Sequence, residues 1–406
     1  MTQRPDSVPI YQAVTFSAGD SEELADVVTG NRPGYAYARI DNPTGTALAD
    51  AIAELHGTEA AYVVASGMAA IHVALLSVVS AGDRIVCTQN VYGTTRSLLT
   101  GQLARFGVRV DFVDATDAPA VEAALAAAPT RVLYLETIAN PTISVLDLRA
   151  LSDLAHRHGA LAIVDNTFAS PYLCRPIELG ADLVVESATK YLSGHSDVLA
   201  GIVAGSRERI AAVRRVQTDT GATLAPFSSF LVLRGLPTLE IRMRRHAETA
   251  TRLARWLEAQ PGIVRVWYPG LASHPQRPVA ARQFPSGGGM LAFEMAGGPA
   301  GDGRAAATAF IDALSIPVLT ASLGSIHTIV VHPPRTTHRQ LDDAALAASG
   351  IAPGLLRCSV GLEDADDLEA DFAAALQAAR RAVGSEAASD RLPVAAPAVI
   401  GAGRPG

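Results

Sequence analysis

The sequence predicts an α/β protein whose largely parallel sheet is covered by helices, followed by a smaller α+β region. Three observations predict it. Short apolar runs and helix-spaced runs alternate from residue 60 to about residue 190, the pattern of strand–helix units joined in parallel. After about residue 240 that alternation gives way to a long Arg-rich helix and alternating strands. The 406 residues, 49% apolar and 18% charged, exceed one ordinary domain and suit a soluble protein with a large core.

Residues 1–40 carry few periodic signals and read as an N-terminal arm, with Val8–Gln12 and Tyr35–Arg39 extended. The turn Asp41-Asn-Pro-Thr-Gly45 opens a large domain over 41–240. Thr46–Leu55 has helical spacing and stops at Gly57. Ala60–Ala65 is a short strand, and Ser66-Gly67-Met68 then opens the apolar segment Ala69–Val79. A strand passing through a small residue and glycine into a helix N-terminus offers free N–H groups and a favourable dipole to a phosphate. Strands are expected at Arg84–Thr88, Val108–Val113, Val132–Glu136, Leu161–Val164 and Leu183–Val185. Helices are expected from Tyr92 to Phe106, over Ala118–Ala128 and over Leu148–His158. Ligands of such sheets bind at the carboxyl ends of the strands, where Asn140, Asp165, Ser187, Thr189 and Lys190 fall. The second domain, 241–384, reads as helix Ile241–Leu257, strands Val264–Tyr268, Met290–Met295 and Leu355–Val360, and helices Ala305–Leu314 and Leu368–Val383. Residues 385–406, rich in Ala, Pro, Gly and Ser, read as a disordered tail.

Composition excludes several classes. A net charge of −7 provides no basic field for nucleic acid or anionic lipid. Cys87, Cys174 and Cys358 are far apart and form no CxxC pair, which argues against a disulfide framework and against a zinc or other metal site. The first residues lack the apolar core of a signal peptide, and no apolar run reaches the length of a membrane span, so a cytoplasmic enzyme is expected. Gly287-Gly-Gly289 precedes a strand, the wrong context for a dinucleotide fingerprint.

Lys190 is the single lysine of the chain; every other basic position is arginine. Arginine replaces lysine as a surface charge, but it cannot lose its proton near neutral pH and act as a nucleophilic amine. A lysine amine can, and one use is a Schiff base with an aldehyde cofactor. Chance survival would leave the residue on an arbitrary exposed helix face; instead it follows the apolar run Ala181-Asp-Leu-Val-Val185 and lies among hydroxyl residues and glycine. Asp165 ends another apolar run and needs a cationic partner, unless it merely caps the following turn. Pyridoxal phosphate asks for a lysine, an acid at its ring nitrogen and donors for its phosphate. Lys190, Asp165, and Gly67 and Met68 with Ser187 and Thr189 are those residue types, and Tyr92 stands where a ring could be stacked.

Val164-Asp-Asn-Thr-Phe168 and Ser187-Ala-Thr-Lys-Tyr-Leu-Ser-Gly-His195 resemble signatures of the Cys/Met-metabolism family of pyridoxal-phosphate enzymes. Tyr35–Arg39, Ala65–Met68, Tyr92-Gly93, Ser322–Gly324 and Leu356–Glu363 extend the resemblance from Val8 to the final helix. The resemblance implies fold type I, aspartate aminotransferase-like, with a large mixed-sheet cofactor domain and a smaller C-terminal α+β domain. It implies that Lys190 carries the cofactor and moves protons, that Asp165 meets the ring nitrogen, and that Gly67, Met68, Ser187 and Thr189 hold phosphate. Tyr37 and Arg39 resemble phosphate ligands given to the neighbouring subunit, which implies a homodimer with shared sites, assembled as a homotetramer. Tyr92 resembles the stacking tyrosine that helps protonate the leaving group, and Arg357 the clamp on the substrate carboxylate. Asn140 and Ser322 resemble residues flanking ring and substrate, and Glu136 a support behind them.

The family's reactions include γ-elimination and γ-replacement on small amino acids. The run Glu178–Val185, Gly67-Met68 and Thr220-Gly-Ala222 resemble methionine γ-lyases most, which implies a carbon–sulfur lyase converting methionine to methanethiol, 2-oxobutanoate and ammonia. Thr94 stands where those lyases carry cysteine. Ala321 stands where many cystathionine-handling members carry glutamate, and a small apolar residue there disfavours a second charged end. The alternative is cystathionine γ-lyase, or γ-replacement as in the O-acylhomoserine sulfhydrylases, which Ala225–Phe230 resembles, or in cystathionine γ-synthase.

Overall fold

The computed structural model describes residues 5–298, 301–339 and 342–384; the tail expected to be disordered lies outside the described residues. Among the described residues eleven strands form two sheets. The first sheet holds β1 (Ala60–Val64), β2 (Arg84–Thr88), β3 (Arg109–Val113), β4 (Val132–Glu136), β5 (Leu161–Asp165), β6 (Leu183–Glu186) and β7 (Gly201–Gly205) in the order β1-β7-β6-β5-β4-β2-β3. β3, β2, β4, β5 and β6 are parallel, and β2, β4, β6 and β7 are buried along their whole length, as strands covered on both faces must be.

The sheet is mixed where the strand–helix alternation alone indicated a largely parallel one. β7 runs antiparallel to both β6 and β1, so β1 points the same way as β4 to β6. Five residues with glycine at both ends carry little strand propensity, and β7 is formed by the two neighbours it pairs with. The carboxyl ends of β1, β2, β4, β5 and β6 therefore share one edge, and β7 begins there.

The arm contains a helix, Ser21–Thr29, capped by Asp20, that its weak periodicity does not announce. The helical stretch after Tyr92 is present but changes from α (Gly93–Ser97) to π geometry (Leu98–Leu103).

The second sheet holds β8 (Ile263–Trp267), β9 (Met290–Met295), β10 (Ile329–Val331) and β11 (Leu355–Ser359) in the order β10-β11-β9-β8, all antiparallel. Phe293, Phe310 and Phe372 pack edge-on or tilted at its centre. The helix Leu239–Glu258 joins the two cores: Leu239 and Met243 pack into the first, and Ala250, Leu253, Ala254 and Leu257 into the second. No described helix is long and apolar enough to cross a membrane.

Candidate active site

At the shared strand edge lies a cavity of about 460 Å³. Met68, Tyr92, Asn140, Asp165, Thr189, Lys190 and Ser322 are among its walls, with Gly67, Glu136, Ser187, Ala321 and Arg357. Eleven of the fourteen site residues expected from sequence thus meet in one place. Three do not. Thr94 is exposed outside the walls, Tyr37 is exposed, and Arg39 donates to the Thr218 carbonyl.

Lys190 sits in the turn after β6, and its Nζ donates to Ser322 Oγ at 2.6 Å. Burial, with the Arg357 charge adding to it, lowers its amine to about 8. The turn is held from behind by the buried Arg242, whose guanidinium donates to the carbonyls of Tyr191 (2.6 Å), Leu192 (3.3 Å) and Gly235 (2.9 Å). Ser322 has φ of 104°, a conformation serine rarely adopts.

Asp165, at the end of β5, accepts the Thr167 N–H at 2.9 Å; burial raises its carboxyl above the ordinary range. Glu136 is its neighbour across the β4–β5 register and is likewise raised, by burial first and by Asp165 second. Glu136 accepts the N–H of Tyr92 at 2.7 Å and of Asn140 at 3.4 Å, so one buried carboxylate fixes two walls of the cavity. Arg357, on β11, donates to Asn140 Oδ1 at 2.9 Å and to the Ser322 carbonyl at 2.8 Å. Its Nε is buried without an acceptor, and burial lowers the guanidinium to about 10. A buried cation with an orphan donor suits an incoming carboxylate.

The phosphate end is built by the helix Gly67–Leu76. Ser66 caps it by accepting the Ala69 N–H, which leaves the first-turn N–H groups of Gly67 and Met68 unpaired within the helix. A Cβ on Gly67 would lie 2.6 Å from Ser187 Cβ, so only glycine lets the helix start approach the turn after β6. The Thr189 hydroxyl is already engaged, donating to the Ala200 carbonyl at 3.2 Å and accepting its N–H at 3.0 Å. To serve phosphate it would have to turn.

These residues fit pyridoxal phosphate. A depressed amine, a half-buried carboxylate with no ion-pair partner among the described residues and a helix N-terminus closed on a serine turn meet its three polar ends. Sequence reasoning left out Ile71, Ile138, Thr167, Phe168, Leu199, Leu323 and Thr337 as walls; most are apolar residues in loops, where no spacing marks them.

The model of the Cys/Met metabolism PLP-dependent enzymes matches residues 2–377. L-Methionine γ-lyase of Pseudomonas putida is 44% identical over 372 residues, covering 91% of this chain and 92% of that one. O-Succinylhomoserine sulfhydrylase of Pseudomonas aeruginosa is 43% identical over 369 residues, covering 91% and 90%. The structure of cystathionine γ-synthase from Xanthomonas oryzae pv. oryzae in complex with cystathionine superposes with a TM-score of 0.86 at 38% identity, covering 93% of this chain and 94% of that one. With family and fold in agreement, the chain belongs to the Cys/Met-metabolism family of pyridoxal-phosphate-dependent enzymes, as a carbon–sulfur lyase or transferase with elimination or replacement chemistry on sulfur amino acids.

Proposed function

We propose that the protein carries out γ-replacement: the acyl group of an O-acylhomoserine leaves Cγ as its carboxylate, and a thiol or sulfide takes its place. The observation that supports this is the wall at Ala321. Only a methyl group stands there, and a second cavity shares that wall, so a substrate tail longer than that of methionine has room. γ-Elimination of methionine, implied by the resemblance of the motifs, becomes the second reading; the apolar walls Ile71, Ile138, Phe168 and Leu323 favour its uncharged tail.

Pyridoxal phosphate, when bound, supplies an electron sink for charge left at Cα and Cβ. Gly67, Met68 and Ser187 would hold its phosphate, Asp165 its ring nitrogen, Tyr92 its ring face and Lys190 its aldehyde carbon. Arg357 holds the substrate α-carboxylate with its planar fork, which fixes Cα over the lysine side of the cavity. The neutral Lys190 amine, steadied by Ser322 Oγ, takes the proton from Cα, gives it up before taking one from Cβ, and returns protons to both carbons once the sulfur has added at Cγ. An amine lowered to about 8 is matched to this work near neutral pH. Tyr92 assists the departing atom with its phenol. Tyr37 and Arg39 would complete a neighbouring subunit's phosphate site in a homodimer.

The test is a substrate panel with product analysis. O-Succinyl- or O-acetylhomoserine with sulfide or cysteine should be turned over faster than methionine is cleaved. Methanethiol and 2-oxobutanoate as the dominant products would give the second reading its place. Tyr92→Phe should slow turnover by about 10²–10⁴-fold while the visible absorbance of the bound cofactor persists.

A further inference from the structure

The space available to a substrate continues beyond Ala321. A second cavity, of about 420 Å³, has Ala321 and Thr337 as walls in common with the first. Its far walls come from the helix Arg304–Ala313, from β10 and from the turn His332–Thr337. Ala321 directly precedes Ser322, whose Oγ meets Lys190, so the shared wall adjoins the reacting centre in sequence.

Arg335 supplies the cation of this second cavity. Its Nη1 donates to Thr308 Oγ1 at 2.8 Å, which ties the guanidinium to the helix wall. Among the described residues no carboxylate lies within ion-pair distance of it, although fifteen ion pairs engage other side chains. Asp312 lines the same cavity and makes no ion pair with Arg335. His332, beside Arg335, is buried and donates from Nε2 to the Pro353 carbonyl at 2.7 Å. Its ring is held below its ordinary pKa by burial, with the Arg335 charge contributing, so it adds no positive charge near neutral pH. Arg335, exposed at the cavity's edge, is therefore the one cation among its walls, with Asp312 the one carboxylate.

We propose that this cavity is a subsite for the far end of the substrate's γ-substituent, with Arg335 receiving a terminal carboxylate. The inference rests on the γ-chemistry proposed above and narrows its substrate class. The favoured substrates are L-amino acids whose γ-tail ends in a carboxylate. A succinyl ester and the amino-acid thioether cystathionine both have that chemistry, acetyl esters and methionine do not; the charged end that Ala321 alone disfavours is given its counter-charge by Arg335, a wall of the same cavity.

Steady-state kinetics of the holoenzyme and of Arg335→Ala, with these four substrates, test it. Arg335→Ala should raise KM about tenfold for the carboxylate-ended substrate that is used, the size of a charge-assisted hydrogen bond, with kcat changed less than twofold. O-Acetylhomoserine and methionine should shift less than twofold in both constants. Whichever of the succinyl ester and cystathionine shows the dependence identifies the source of the tail. Arg335→Lys should recover part of the loss, because a point charge replaces the planar fork. An equal shift for all four substrates, or none for a carboxylate-ended one that is turned over, overturns the subsite. Calorimetric titration with L-2-aminosuberate, which has the tail but no leaving group, needs no turnover: Arg335→Ala should weaken its binding about tenfold. If none of the four substrates reacts yet that weakening is seen, the γ-chemistry fails and the subsite stands; unchanged binding removes the subsite alone.

Discussion

Lys190 works against an environment that disfavours its charge. Burial and the Arg357 guanidinium both lower the amine, to about 8, and Ser322 Oγ at 2.6 Å orients what remains. The sign of the pH effect follows. Below about 8 the buried amine is protonated and cannot attack an aldehyde; above it the neutral amine predominates. Capture of pyridoxal phosphate by the apoprotein should accelerate roughly tenfold per pH unit up to that point and level off above it. Rapid-mixing absorbance measures this, and a flat profile between pH 6.5 and 9 would contradict a depressed lysine. Borohydride reduction should then label residue 190 alone, and Lys190→Arg should take no label, since a guanidinium stays protonated.

At the scale of elements, the helix Gly67–Leu76 and the turn after β6 are positioned by close backbone approach. A Cβ on Gly67 would meet Ser187 Cβ at 2.6 Å and Ser187 Cα at 3.0 Å, and backbone there cannot swing aside as a long side chain would. Gly201 is tighter, with Ser66 O only 2.0 Å from a Cβ, so β7 can enter the sheet beside the helix start only as glycine. Gly67→Ala should therefore cost about 1–3 kcal/mol by overpacking and should push the helix start away from the phosphate position. Thermal unfolding of the apoprotein gives the first quantity, and the concentration of cofactor needed for half-saturation gives the second. A normal affinity for the cofactor in Gly67→Ala would mean that this junction does not hold phosphate.

The whole molecule brings together two cores and an arm. Arg357 reaches the cavity from the second sheet, and the helix Leu239–Glu258, packed into both cores, carries the Arg242 that holds the Lys190 turn. The arm is different: Ile10, Tyr11, Val14 and Tyr37 leave apolar surface exposed on the single chain. That surface, with Arg39 outside its own cavity, motivates the homodimer with shared sites. Mixing inactive Arg39→Ala with inactive Lys190→Ala protein under conditions of subunit exchange should restore activity, because one site of each mixed dimer is whole. Absence of rescue after exchange is verified by mass would assign each site to a single chain.

The sequence by itself singled out Lys190 as the candidate cofactor lysine and laid out most of the sheet. β2, β4 and β9 have the bounds their apolar runs predict, because a strand buried on both faces or alternating on one writes its own length into hydropathy. The uniqueness of Lys190 is chemical and needs no coordinates. Only the tertiary structure decided which distant residues touch. Asn140 meets Arg357 across 217 positions and Lys190 meets Ser322 across 132, contacts that no local pattern encodes. β7 became a strand because β1 and β6 flank it, and Thr94 left the site because the helix after Tyr92 turns it to solvent. Thr337 and Arg335 came into view for the same reason: periodicity reports the burial of a regular element, whereas cavity walls are made by loops whose course is set by what they pack against.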